Sequence, residues 1–130
     1  MAEYTGTVHV HASADQVFNF VSQLGRLQAV MPGVEKIEET GPGTFRATQT
    51  INGQQVQGNY RYQIEPEPKR VKWESTEGGA HGYLHVVAEG NHAALTMHLN
   101  SQRRDEHSVT QQVTQTLNNI KHRIESGQGS

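Results

Sequence analysis

Histidine is the most frequent residue in this chain that can bind a metal or move a proton, with eight among 130 residues. His9 and His11 alternate along a predicted first strand, and His81, His85 and His98 fall on one face of a predicted last hairpin. Imidazoles two residues apart on a strand can hold a divalent cation. No carboxylate recurs with them at ligand spacing, and their face is predicted to be exposed to solvent. We therefore expect no metal site here, beyond adventitious binding.

Two tyrosines are the inward-facing residues for which the sequence suggests acid–base chemistry. Tyr60 and Tyr62 alternate on the apolar face of a predicted strand. A tyrosine hydroxyl in a cavity could transfer a proton during a cyclisation or dehydration, although a buried tyrosine more often only forms a hydrogen bond. Nucleophilic catalysis is not supported, because the chain has no cysteine, no Gly-x-Ser-x-Gly motif and no evident set of serine, histidine and acid. We expect no cofactor.

Length and composition indicate one domain without covalent cross-links. The chain has a mass of 14.4 kDa, which is typical of a single domain. We assign residues 1–126 to that domain and expect residues 127–130 to form an unstructured tail. Only 33% of the residues are apolar and the mean hydropathy is −0.72. We therefore expect any cavity to be small or to include polar groups such as Gln49 and Ser75.

Charge and hydropathy limit the partners that this chain is expected to have. The net charge is −2, the pI is near 6.4, and lysine and arginine are scattered along the sequence. A nucleic-acid-binding protein would instead need a basic patch. No apolar run approaches the roughly 20 residues that span a bilayer, and the N-terminal segment lacks the layout of a signal peptide. We therefore expect a cytoplasmic protein, with no nucleic-acid partner and no membrane insertion.

One hairpin can be read from the sequence in its full register. Asn52-Gly53 is a strong signal for a two-residue turn, because both positions need a positive φ. Pairing outward from this turn places Phe45 opposite Tyr60 and Ala47 opposite Gly58. One face of the hairpin is then mainly apolar and the other wholly polar, and a slip of one residue would destroy this sorting. A second hairpin is predicted around Gly90-Asn91.

The segment after the first strand predicts two short helices. Ser13 and Gln16 have the spacing of a capping box, and apolar residues recur at helical spacing from Val17 onwards. Gly25 is expected to separate the two pieces, and Pro32 to stop the second.

The chain is predicted to end in a long amphipathic helix. Ser108 and Gln111 could form a second capping box. The acidic residues of the preceding RRDEH segment, residues 103–107, suit the positive end of the helix dipole. Apolar residues then recur at intervals of three and four, as expected for a helix that packs on a sheet; they are Val109, Val113, Leu117, Ile120 and Ile124.

The predicted order is a strand, two short helices, about six further antiparallel strands and one long helix. Together with the segments VHVHASADQVFNFVSQLGRLQAVMPGVEKIEE and PKRVKWES, this order resembles the START-like (SRPBCC) helix-grip superfamily. That resemblance implies an α+β fold, in which a curved antiparallel sheet of about seven strands surrounds a long C-terminal helix. The sequence looks polyketide cyclase/dehydratase-like, and MPGVEKIEETGPGTFRATQTINGQQVQG is most similar to the G-type subunits of carbon monoxide dehydrogenase.

The resemblance implies a cavity between the sheet and the C-terminal helix, usually for a small apolar molecule such as a lipid, polyketide, quinone or sterol. The broken helical segment would flank the entrance, and the first and last strands would bring the five strand histidines onto one outward face. Mapped onto this sequence, the implied ligand-binding residues are Phe45, Tyr60, Tyr62, Trp73, Leu84, Val86, Met97, Val113 and Leu117.

Three functions are compatible with this pattern, because its motifs are architectural and specify a fold better than a reaction. The first is a carrier or sensor that binds a small, largely apolar molecule without changing it. The second is a cyclase or dehydratase that uses Tyr60, Tyr62 or an arginine for proton transfer. The third is an accessory protein that docks on a partner enzyme. A monomer and a homodimer are both compatible with the sequence.

Overall fold

The computed structural model describes residues 2–127, so residues 128–130 of the tail predicted at 127–130 lie outside the described residues. All seven strands join one antiparallel sheet in the order β1-β7-β6-β5-β4-β3-β2, which leaves β1 and β2 as its edges. With three helices, this is the expected helix-grip fold. The elements are β1 (Ala2–Val10), α1 (Ala14–Val21), α2 (Leu24–Val30), β2 (Val34–Gly41), β3 (Thr44–Ile51), β4 (Gln54–Glu65), β5 (Arg70–Ser75), β6 (Ala80–Glu89), β7 (His92–Ser101) and α3 (Glu106–Glu125).

Both predicted hairpins form in the expected register. Phe45 pairs with Tyr60 and Ala47 with Gly58 across β3 and β4, around a turn in which Asn52 and Gly53 both have positive φ. Leu84 pairs with Met97 across β6 and β7. The alternation of apolar and polar residues, anchored at a tight turn, is therefore sufficient to fix the pairing of these four strands.

The helices cover only part of one face of the sheet. Helix α3 packs on β1 and β7, α1 packs on β6 and β7, and α2 packs on β2. Val10, Leu95, Val113 and Ile120 lie in the resulting core with no exposed surface. Helices contact β3, β4 and β5 much less, and the inward face of these three strands borders a cavity.

The break between the two short helices does not lie at Gly25, as the sequence suggested. Helix α1 ends at Val21, and Gly25 lies inside α2. The side chains of Ser22 and Gln23 both donate hydrogen bonds to the carbonyl oxygen of Asn19, at 3.2 and 3.0 Å. These side chains satisfy a terminal carbonyl, so polar groups rather than a flexible glycine end the helix.

The start of α3 also differs from the prediction of a cap at Ser108. Asp105 is the N-cap, and its carboxylate accepts a hydrogen bond from the Ser108 backbone N–H at 2.7 Å. An aspartate three residues upstream takes the donor that the expected cap would have left unpaired, so the helix begins earlier, at Glu106. At α1 the predicted capping box of Ser13 and Gln16 is present.

Candidate ligand-binding site

A cavity opens between the inward face of β3, β4 and β5, helix α2, and the segment that leads into α3. It measures about 1120 Å³ when the solvent at its open mouth is included, so a bound molecule would be smaller than this. Leu24, Leu27 and Met31 of α2 line one side, and Arg104 and Gln112 line the side formed by the start of α3. The cavity exists because the helices that fill the remainder of the sheet face do not reach this part of it.

Aromatic side chains form one wall of the cavity. The rings of Phe45 and Tyr60 stack with their centroids 5.1 Å apart and their planes 11° from parallel. Tyr62 lies beside Phe45, with a centroid distance of 5.7 Å. Trp73 on β5 pairs with Gly82 on β6, and a Cβ atom at Gly82 would lie only 2.7 Å from the indole ring. Glycine at position 82 therefore lets the indole lie against the sheet.

The nine residues proposed from the sequence divide into two groups. Four of them line the cavity, namely Phe45, Tyr60, Tyr62 and Trp73. The other five belong to the packed core, are 0 to 2% exposed, and are not among the residues that line the cavity; they are Leu84, Val86, Met97, Val113 and Leu117. The difference follows from the position of the helices, because α1 and α3 fill the space above β6 and β7.

A short polar network lies along the cavity wall. Gln49 donates from Nε2 to the hydroxyl of Tyr60 at 3.1 Å. Arg104 donates from one terminal nitrogen to Oε1 of Gln49 at 3.4 Å and from the other to the hydroxyl of Ser108 at 3.2 Å. Gln49 and Ser75, which the sequence suggested as polar cavity groups, both line the cavity.

Arg104 is the functional candidate that sequence reasoning missed. The RRDEH segment was interpreted only through its acidic residues at the helix start, whereas its second arginine is half-buried and lines the cavity. Burial lowers the pKa of the Arg104 guanidinium, and the nearby Tyr60 hydroxyl partly opposes this shift. No local pattern reveals the contact with Gln49, because the two residues are 55 positions apart in sequence.

Tyr62 differs from Tyr60 in its electrostatic surroundings. Burial raises the pKa of the Tyr62 hydroxyl, and the neighbouring Glu39 carboxylate raises it further, both through its charge and as a hydrogen-bond acceptor. The hydroxyl of Tyr62 is therefore held in its neutral form and is engaged with the edge strand β2. Of the two tyrosines proposed for catalysis, Tyr60 is the one that joins the polar network of the cavity.

The strand histidines form separate contacts. His9 pairs with Glu89 at 2.9 Å, and His11 hydrogen-bonds to His92 at 2.8 Å. His98 bonds to Thr5 at 2.7 Å, with the His81 ring 5.8 Å from its own. Across residues 2–127, no group of three or more histidine, cysteine, aspartate or glutamate side chains is placed to hold a metal ion. In the same part of the chain, no helix is long and apolar enough to cross a membrane.

Comparisons with known proteins agree with this architecture. A START superfamily protein from Mycobacterium smegmatis superimposes with a TM-score of 0.75 and 17% identity, over 98% of this chain and 97% of that one. A Deinococcus radiodurans protein gives 0.80 and 19% identity, over 97% and 99% of the two chains. An aromatase/cyclase, Zhui from Streptomyces sp. R1128, gives 0.67 and 18% identity, over 95% and 82%. These identities establish a shared fold.

Sequence comparison gives a family but no individual relative. No curated protein sequence matches this chain significantly. Residues 1–125 match the family described as polyketide cyclase / dehydrase and lipid transport. Because the match spans nearly the whole chain, and the fold is START-like, this protein belongs to the polyketide cyclase / dehydrase and lipid transport family.

Proposed function

We propose that this protein binds a small, largely apolar molecule in the cavity beside β3, β4 and β5, as a carrier or sensor. The supporting observation is an aromatic-walled space that stays open while the neighbouring sheet face is filled by α1 and α3. Apolar clefts with a few polar groups are the usual sites for small molecules. Lipid transport is one of the roles in the family description, and it agrees with this arrangement.

The composition of the walls indicates the kind of molecule that fits. Phe45, Trp73 and Leu99 offer apolar surface, while Gln49 and Arg104 supply polar contacts on the same cavity. A single-chain lipid, a polyketide or a quinone could place its apolar body against the aromatic rings. We therefore propose a ligand-binding set of Phe45, Tyr60, Tyr62 and Trp73 extended by Gln49 and Arg104.

A fluorescent titration with N-phenyl-1-naphthylamine, an apolar neutral dye, tests this proposal. Ala47 is 5% exposed and lines the cavity, so Ala47→Phe would fill part of the space. Ala94 on β7 is half-buried, does not line the cavity and pairs with His9, so Ala94→Phe is a matched control. We expect saturable binding to the wild type and to Ala94→Phe, and weak binding to Ala47→Phe. Equal binding by all three proteins, or none by the wild type, would contradict the proposal.

A second candidate function is catalysis of a cyclisation or dehydration. The observation that favours it is the Tyr60 hydroxyl, which lies in the cavity network and could transfer a proton. The similarly folded Zhui protein is an aromatase/cyclase. Incubation with a linear poly-β-ketone, followed by mass spectrometry for loss of water, distinguishes the two functions. An enzyme would accelerate this loss and Tyr60→Phe would abolish the acceleration, whereas a carrier would return the molecule unchanged.

The other sequence-based expectations are unchanged as predictions. They are a cytoplasmic location, the absence of a cofactor and of a nucleic-acid partner, docking on a partner enzyme, and a monomeric or homodimeric state.

A further inference from the structure

We propose that the cavity selects molecules that carry an anionic oxygen, such as a carboxylate or phenolate, and that Arg104 and Tyr60 bind this oxygen. The inference rests on the proposed ligand-binding function and specifies its ligand class. It follows from three features of the cavity: a half-buried cation with neutral partners, an amide whose orientation is fixed, and a tyrosine hydroxyl that keeps its proton.

The first feature is the partner set of Arg104. Within residues 2–127, its side chain contacts neutral acceptors, Gln49 and Ser108, and no carboxylate lies within 4.0 Å of it. Other arginines of the same sheet do have acidic partners; Arg70, for example, binds Glu65 at 2.6 Å. A half-buried guanidinium without a counter-charge is costly to desolvate, and an incoming anion would relieve that cost.

The charges around the cavity agree with this arrangement. Its lining contains two arginines, Arg103 and Arg104, and one acidic residue, Glu77. Glu77 is exposed and forms no ion pair with Arg104 within 4.0 Å. The ionised groups of the lining therefore carry a net positive charge, whereas the whole chain carries a net charge of −2.

The second and third features follow from the chemistry of hydrogen bonding. Arginine has only donors, so the oxygen of the Gln49 amide must face Arg104 and its NH₂ group must face Tyr60. The Tyr60 hydroxyl accepts this bond, and its own proton is left to donate elsewhere. Arg104 and Tyr60 therefore both offer hydrogen-bond donors to the cavity. Such a pair suits an oxygen that accepts several bonds, and hydrogen bonds to a charged acceptor are the stronger ones.

A competition experiment tests this selectivity. N-phenyl-1-naphthylamine is first bound to the protein and is then displaced by decanoate or by 1-decanol, which share a chain length and differ in the charged group. We expect Arg104→Gln to weaken decanoate binding about tenfold, from the usual strength of a charge-assisted hydrogen bond, and to leave 1-decanol binding nearly unchanged. Arg104→Lys should restore part of the preference. Arg46→Gln removes one exposed positive charge outside the cavity lining and should have no effect.

The outcomes separate this inference from the proposed function. If the dye binds but Arg104→Gln weakens both competitors equally, or neither, the cavity binds ligands without the selectivity proposed here. The same conclusion follows if decanoate fails to displace the bound dye from the wild type. If the wild type does not bind the dye, the proposed function and this inference both fail. Thermal unfolding of each variant checks that a lost affinity does not reflect a lost fold.

Discussion

Gly82→Ala is the substitution for which the structure gives the clearest expectation. A Cβ atom at this position would lie 2.7 Å from the backbone oxygen of His98 and 2.7 Å from Cζ2 of Trp73. The first contact is with the backbone of the paired strand β7, which can move little without opening the β6–β7 ladder. The indole of Trp73 would therefore have to leave its place against the sheet.

The size of the effect follows from the cost of overpacking. Inserting a methyl group into well-packed surroundings costs about 1 to 3 kcal/mol, and we expect Gly82→Ala to reach the upper part of that range because one clash is with backbone. For a domain of this size, a loss of about 2.5 kcal/mol lowers the Tm by on the order of 10 °C. Displacement of Trp73 should also weaken dye binding, since the indole lines the cavity.

Urea unfolding followed by intrinsic fluorescence measures both effects, because Trp73 is the only tryptophan in the chain. We expect a lower unfolding midpoint and an altered native emission maximum for Gly82→Ala. Gly25→Ala is the matched control, because nothing lies within 4 Å of the added Cβ and the residue is inside helix α2. It should raise stability by up to about 1 kcal/mol. A Gly82→Ala protein within about 0.5 kcal/mol of the wild type, with an unchanged spectrum, would refute the packing argument.

Two further predictions concern the ends of α3. Loss of the N-cap in Asp105→Ala should lower the free energy of unfolding by about 1 kcal/mol, whereas Asp105→Asn should retain most of it; urea unfolding measures both. The pKa of Glu125 is lowered from its ordinary value of 4.5, first by the hydrogen bond from the His11 backbone N–H and then by Lys121. A lowered pKa stabilises the folded state above pH 4.5, and this contribution is lost as the pH falls through the folded value. Glu125→Gln should therefore be less stable than the wild type near neutral pH, and the difference should disappear in acid; a difference that grows on acidification would contradict the assignment.

The elements that sequence reasoning predicted well are those whose signals are local. Asn52-Gly53 defines a turn, and the alternation on either side of it fixes the pairing down to Phe45 and Tyr60. The break at Ser22 was misplaced because helix termination there depends on side chains bonding to a backbone carbonyl. Glycine is only one of several ways to end a helix, so Gly25 was a weak signal.

The candidate site was harder to predict because a cavity is a property of tertiary packing. Trp73 and Met97 both lie on the inward face of the sheet, and their sequence patterns are alike. Only the path of the helices makes one a cavity wall and the other a buried core residue. Arg104 was missed for the same reason, since its contact with Gln49 joins the start of α3 to a distant strand.

The position of a bound molecule is the most decisive observation for ligand binding in this cavity. Intermolecular NOEs between N-phenyl-1-naphthylamine and the isotopically labelled protein would locate it. We predict NOEs to the rings of Phe45 and Trp73, inside the cavity. NOEs confined to the exposed apolar side chains Tyr4, Ile64 and Val87 would instead place the dye elsewhere on the protein and contradict binding in the cavity.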